Sequence, residues 1–149
     1  MYEAVITAQY ERVIGKFEAL AASAESPTEK IRLWAKIVHQ NHTQEQPLMA
    51  RLIQGELSSP TACMDKVVRR YTARMAQLTT GILCEGMQSG CFRDDIDPVF
   101  AALSLAGMLN FYFVLREITK AVVPDSARQQ DEEFVDTALK IYLKGMGRD

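Results

Sequence analysis

Residues Glu85 to Leu109 read EGMQSGCFRDDIDPVFAALSLAGML, and this stretch decides the fold. An apolar-periodic run stops between Gly86 and Gly90, passes through the acidic turn Asp94, Asp95, Asp97, and restarts on Pro98. Glycine takes the left-handed conformation that closes a helix C-terminus. A short carboxylate such as Asp97 caps the first turn of the next helix, and proline fits its first position. The segment is therefore a corner between two helices.

Working upstream, Met64, Val68, Tyr71, Met75, Leu78 and Ile82 recur at helical spacing and form one stripe. The breaker SSP, Ser58 to Pro60, precedes that helix, and LMARLIQGEL, residues 48–57, reads as a short helix before it. Ser26, Pro27 and Glu29 form a start signal with a capping box. The helix they open carries Ile31, Trp34 and Val38, with Leu33 and Ile37 beside them, and ends in the polar HQNHTQEQP that runs into Pro47. The first helix, from about Tyr2 to Ser23, shows Tyr2, Ile6, Tyr10, Val13, Phe17 and Leu20 on one face.

Downstream, Pro98 to Leu115 contains no charged residue. VVPDSA breaks it, and a last helix from about Gln129 to Met146 carries Phe134, Ala138, Ile141 and Gly145, with Val135, Leu139 and Tyr142 alongside. No strand alternation, repeat or linker interrupts the pattern. The reading is an all-α bundle of about six helices in one domain over residues 1–149.

Composition agrees. The chain has 149 residues, 48% hydrophobic and 24% charged, which suits one soluble globular domain. The formal net charge of -2 supplies no global basic field toward nucleic acid or membrane. Three cysteines, Cys63, Cys84 and Cys91, are an odd number without a C-x-x-C, so reduced thiols are expected. The N-terminal residues lack the basic start and apolar block of a signal peptide.

The uncharged helix is too apolar all round for a one-faced surface helix. A membrane span is disfavoured: the run falls short of the roughly 20 residues a bilayer needs and contains Ser104, Gly107 and Asn110. The better account is burial on two sides, one against its own bundle and one against a second copy of the chain. The last helix also has a wide apolar face, so the two predict a four-helix interface about a two-fold axis.

The hinge resembles that of the C-terminal ligand-binding and dimerisation domain of TetR-family transcriptional regulators. It shows Glu85-Gly86, then Gly90, Phe92 and Arg93, then an Asp-rich turn through Asp95 and Asp97 before an Ala-rich helix. The opening MYEAV is similar to the segment that follows the family's DNA-binding helices. The helix order extends the resemblance over essentially the whole chain. It implies an effector-sensing domain of a ligand-responsive regulator, by the family's usual mode a repressor, working in the bacterial cytoplasm. The corner would turn the chain from a pocket-lining helix into the first dimerisation helix, with Phe92 plugging the bundle and Arg93 and the aspartates holding the turn. DNA would be bound only through an N-terminal helix-turn-helix preceding Met1, which this chain does not contain. The expectation is a truncated regulator; a stand-alone helical dimer that binds or carries an apolar ligand is the alternative.

Under this resemblance the ligand-binding residues are Trp34, Val38, Tyr71, Met75, Leu78, Met108, Phe111 and Tyr112, an aromatic and Met-rich set suited to an apolar or aromatic effector. Helical spacing by itself more often means plain core, and the large aromatics Trp34, Tyr71 and Phe111 are the stronger candidates. The homodimer face is placed on Ala102, Ala106, Leu109 and Phe113 with Phe134, Ala138, Ile141 and Tyr142; nothing in the composition chooses which side of the uncharged helix looks outward.

Other features favour bland readings. His39 and His42, three apart near Glu45, lack a third strong ligand and read as a solvated or hydrogen-bonded pair. The aspartates of the turn, and the DEEF run from Asp131 to Phe134, are explained by helix capping and the dipole. No nucleophile paired with a base, Gly-rich phosphate loop, inward carboxylate pair or Glu-x-x-His pair is evident, so neither an enzyme nor a metal or cofactor site is expected.

Overall fold

The structure, a computed structural model, describes residues 2–45, 62–115 and 127–148. Among the described residues there are five α-helices: α1 (Tyr2–Ala22), α2 (Pro27–Gln40), α3 (Ala62–Ser89), α4 (Pro98–Val114) and α5 (Ala127–Met146). A π-helical turn, Asn41–Glu45, continues α2. The all-α expectation holds. The short helix expected at 48–57 lies outside the described residues, as do residues 116–122.

Local chemistry sets the helix boundaries. Ser26 sits in extended backbone before α2 and accepts a hydrogen bond from the Glu29 N–H at 3.2 Å, with Pro27 in the first turn. Asp97 does the same for α4, accepting from Val99 N–H at 2.8 Å ahead of Pro98. Each cap satisfies a backbone donor that the helix cannot. Gly90 closes α3 with φ +82, the left-handed conformation that favours glycine.

Helices α1 and α3 run in the same direction. Tyr10 stacks on Tyr71 with ring centroids 4.5 Å apart, and further along Glu18 meets Arg74 at 3.4 Å. Helix α2 crosses back against both. Trp34 packs on Phe17 at 6.0 Å and donates its indole N–H to Thr79 Oγ1 at 2.9 Å. Lys30, buried, donates to the Ala21 carbonyl at 2.8 Å and pairs with Glu85 at 2.9 Å, tying the end of α1 to the end of α3. A buried ammonium is tolerated only when partnered in this way.

Helices α4 and α5 are antiparallel. Tyr112 donates to Asp131 at one end, at 3.0 Å, and Tyr142 to the Ala101 carbonyl at the other, at 2.7 Å. Burial raises the ionisation of Tyr142 well above its ordinary value, so the hydroxyl stays a donor.

The corner is built from side chains. Phe92 is fully buried, and its ring lies where a Cβ on Gly86 would sit, so only glycine fits under it. Phe92 N–H donates to the Gly86 carbonyl at 3.0 Å, and Arg93 N–H to the Met146 carbonyl at 2.8 Å. Arg93 grips Asp95 through two hydrogen bonds of 2.6 and 2.7 Å. Their charge-assisted pairing holds the Asp95 carboxyl down at about 2, below its usual 3.8. The last turn of α5 is thereby anchored to the start of α4.

Candidate functional site

The residues expected to line a pocket separate in the structure. Trp34 and Val38 are buried on the inner face of α2. The indole N–H of Trp34 is committed to Thr79, so the polar handle that suggested a cavity edge serves the core instead. On α3, Tyr71, Met75 and Leu78 are half-buried against that core, and on α4 so are Met108 and Tyr112. The Tyr71 hydroxyl is pushed up to about 12, first by burial and second by its neighbour Tyr10. Tyr112 is engaged in the α4–α5 contact: it stacks on Phe134 at 3.9 Å and meets Phe113 edge-on at 5.2 Å.

Phe111 departs from expectation. Its ring is 63% exposed and belongs to the outer face of α4, not to the bundle interior. The reason is helical phase. Val99, Leu103, Gly107 and Phe111 follow one another at four-residue steps, with Phe100 one position around, and this face is turned away from the bundle.

The same phase bears on the residues expected at a homodimer face. Ala102, Leu109 and Phe113 are buried inside the subunit, with Ala101 and Leu105, and Ala106 is half-buried at the edge of that face. On α5, Ala138 and Tyr142 are likewise interior. Phe134, half-buried, and Ile141, 63% exposed, remain at the surface. The exposed apolar face is instead Val99, Phe100, Leu103 and Phe111 on α4 with Ile141 on α5. Gly107 lies in the middle, and a Cβ placed on it would touch nothing within 4 Å. The sequence missed Val99, Phe100 and Leu103 because a helix apolar on every side carries no periodic signal of its rotation.

The histidines do form an organised cluster. His39 and His42 both stack on Phe113, at 5.5 and 4.8 Å, and His42 Nε2 lies 2.8 Å from Asn110 Oδ1. Since that oxygen only accepts, Nε2 carries the proton. The Asn110 amide in turn donates to the Ala106 carbonyl at 2.9 Å. His42 lies within the π-helical turn, a helix form that recurs where helices carry function. The His39–His42 spacing was visible in the sequence; the pairing with Asn110 was not.

Among the described residues, a shallow groove of about 220 Å³ runs between α2 and α5. It is lined by Arg32, Lys36 and His39 on one side and Glu132 and Asp136 on the other, with Val135 and Leu139 beneath. No residue expected for the pocket lines it. Also among the described residues, no helix is long and apolar enough to cross a membrane.

The molecule is thus an all-helical bundle with a capped corner leading into an outward apolar helix. A family profile described as tetracyclin repressor-like, C-terminal domain, matches residues 27–135. The chain belongs to that family. Domains of this kind generally dimerise and bind small-molecule effectors. A comparison with curated proteins found no match.

Proposed function

We propose that residues 1–149 are the effector-sensing and dimerisation domain of a ligand-responsive transcriptional repressor. A small, mainly apolar molecule bound in the helical bundle alters DNA binding by a separate helix-turn-helix domain. The observation that carries this reading is the outward face of α4 and α5, where Val99, Phe100, Leu103, Phe111 and Ile141 lie in the open. A contiguous apolar surface of this kind is the mark of an interface.

A two-fold pairing would bury this face against itself, with Gly107 letting the partner's helix approach closely. The residues facing the bundle interior, Tyr71, Met75, Leu78 and Met108, suit an apolar effector. An effector that prefers one arrangement of the helices shifts the population toward it. Two DNA-binding heads held by the dimer read that shift as a change in half-site spacing.

The test is sedimentation equilibrium on the chain across micromolar concentrations, followed by melting with a panel of apolar and charged small molecules. The expected result is a mass of two chains, with melting raised by apolar and not by charged compounds. A monomer throughout would defeat the dimer reading, and stabilisation by charged metabolites alone would defeat the apolar-effector reading.

A further inference from the structure

Arg32, Lys36 and His39 recur at four and then three residues along α2, so they share one face of that helix. Glu132 and Asp136, four apart on α5, stand opposite them across the groove, and the buried side chains of Val135 and Leu139 form its floor. Each wall therefore repeats one sign of charge, and like charges four apart on a helix repel. Among the described residues neither Arg32 nor Lys36 has an ion-pair partner, so the acidic wall lies beyond their reach. Asp136 pairs instead with Lys140 on its own helix, at 3.0 Å.

The opening of about 220 Å³ falls below the roughly 300–1,000 Å³ of drug-sized pockets, so it suits a narrow molecule and not a bulky ring system. Its floor offers methyl groups and no hydrogen-bonding side chain. A polar group laid there would give up water for nothing, so the middle of an occupant is apolar.

We propose that this groove is a second ligand site, one that takes a small zwitterion. The anionic end lies against Arg32 and Lys36, the cationic end toward Glu132 and Asp136, and a short methylene spine rests on Val135 and Leu139. Such a ligand bridges a gap that the side chains leave open and relieves the repulsion within each wall. A purely anionic or purely cationic molecule meets one wall of its own sign, and a neutral one leaves both walls unanswered. Both walls are exposed, so each end contributes modestly and binding weakens with salt. The site is separate from the bundle interior and does not rest on the effector reading above.

6-Aminohexanoate, hexanoate and hexylamine test it, since they share a linear spine and differ in their charged ends. The 149-residue chain is titrated with each, and the methyl signals of Val135 and Leu139 are followed by NMR. Wild type is compared with Arg32→Gln/Lys36→Gln and with Glu132→Gln/Asp136→Asn. All four substituted side chains are exposed, so both variants should melt close to wild type. The expected result is millimolar binding of 6-aminohexanoate by wild type, about fivefold tighter than either single-ended compound. The first variant loses the advantage over hexylamine, and the second loses the advantage over hexanoate. If wild type binds either single-ended compound as tightly as the zwitterion, one wall takes no part and the proposal is overturned. Affinity unchanged in both variants places the ligand elsewhere and overturns it as well. So does a lack of saturable binding up to tens of millimolar, which leaves the effector-sensing reading standing.

Discussion

Replacing Leu103 by glutamate sets the interior and exterior faces of α4 against each other. Leu103 is 55% exposed in the single subunit, so the change leaves the bundle's own packing in place. Fully burying a leucine stabilises by roughly 1.5–3 kcal/mol, so covering the exposed half contributes about 1–1.5 kcal/mol per copy. A two-fold interface suffers the loss twice, about 2–3 kcal/mol. Two carboxylates then have to be desolvated without partners, a cost of several kcal/mol each if they remain inside the interface. Even if the glutamates escape to its rim and cost only about 1 kcal/mol apiece, the total reaches roughly 4–5 kcal/mol, a weakening of the dimer on the order of a thousandfold. The assay is sedimentation equilibrium of wild type and Leu103→Glu, with far-UV circular dichroism to establish that the monomer stays folded. Arg70→Glu, an exposed change on α3, serves as the control and should leave association unchanged. Ala102→Glu, by contrast, inserts a charge at a buried position and should unfold the chain. A Leu103→Glu protein that dimerises within tenfold of wild type would refute the assignment of this face.

Three further outcomes are expected. Phe92→Ala empties the fully buried plug at the corner and should cost about 3–5 kcal/mol in urea unfolding; a loss under about 1 kcal/mol would mean the corner is held by its backbone alone. Thr79→Val leaves the buried Trp34 N–H without its acceptor and should cost about 1–3 kcal/mol, lowering the melting temperature on the order of 5 °C in calorimetry. Tyr71 has its ionisation raised from 10.0 to about 12, so the fold holds the neutral phenol; its contribution to stability is whole below pH 10 and is lost as pH rises through 10 to 12. Tyr71→Phe should therefore move the midpoint of base-induced unfolding to higher pH, and an unchanged midpoint would show that Tyr71 is not the group responsible.

Much of the architecture was legible because helix punctuation is local. Ser26 with Pro27, Asp97 with Pro98, and the glycines after Ile82 set the helix ends through interactions spanning only a few residues, and the structure places the helices there. Of the stripes on α1 and α2, Tyr10, Val13, Phe17, Leu20, Ile31, Trp34 and Val38 are buried, while the side chains of Tyr2 and Ile6 lie outside what the structure describes. An amphipathic helix states in its own pattern which side faces inward.

The site was less legible, and α4 shows why. A helix apolar on every side has no preferred face in sequence. Its rotation is set by the Phe92 plug under Gly86, the Arg93 bond to the Met146 carbonyl, and the Tyr142 bond to the Ala101 carbonyl. The last two of these contacts join residues far apart in the chain. They turn Ala102, Leu109 and Phe113 inward and leave Phe100, Leu103 and Phe111 outside. Trp34 carries the same lesson, since only the approach of α3 showed that Thr79 would take its N–H. By itself the sequence determined the helices, their ends and the family resemblance, because periodicity and capping are short-range. The outward face of α4 and the acceptor of the Trp34 indole were decided only by the tertiary structure, because both depend on which groups other helices bring near.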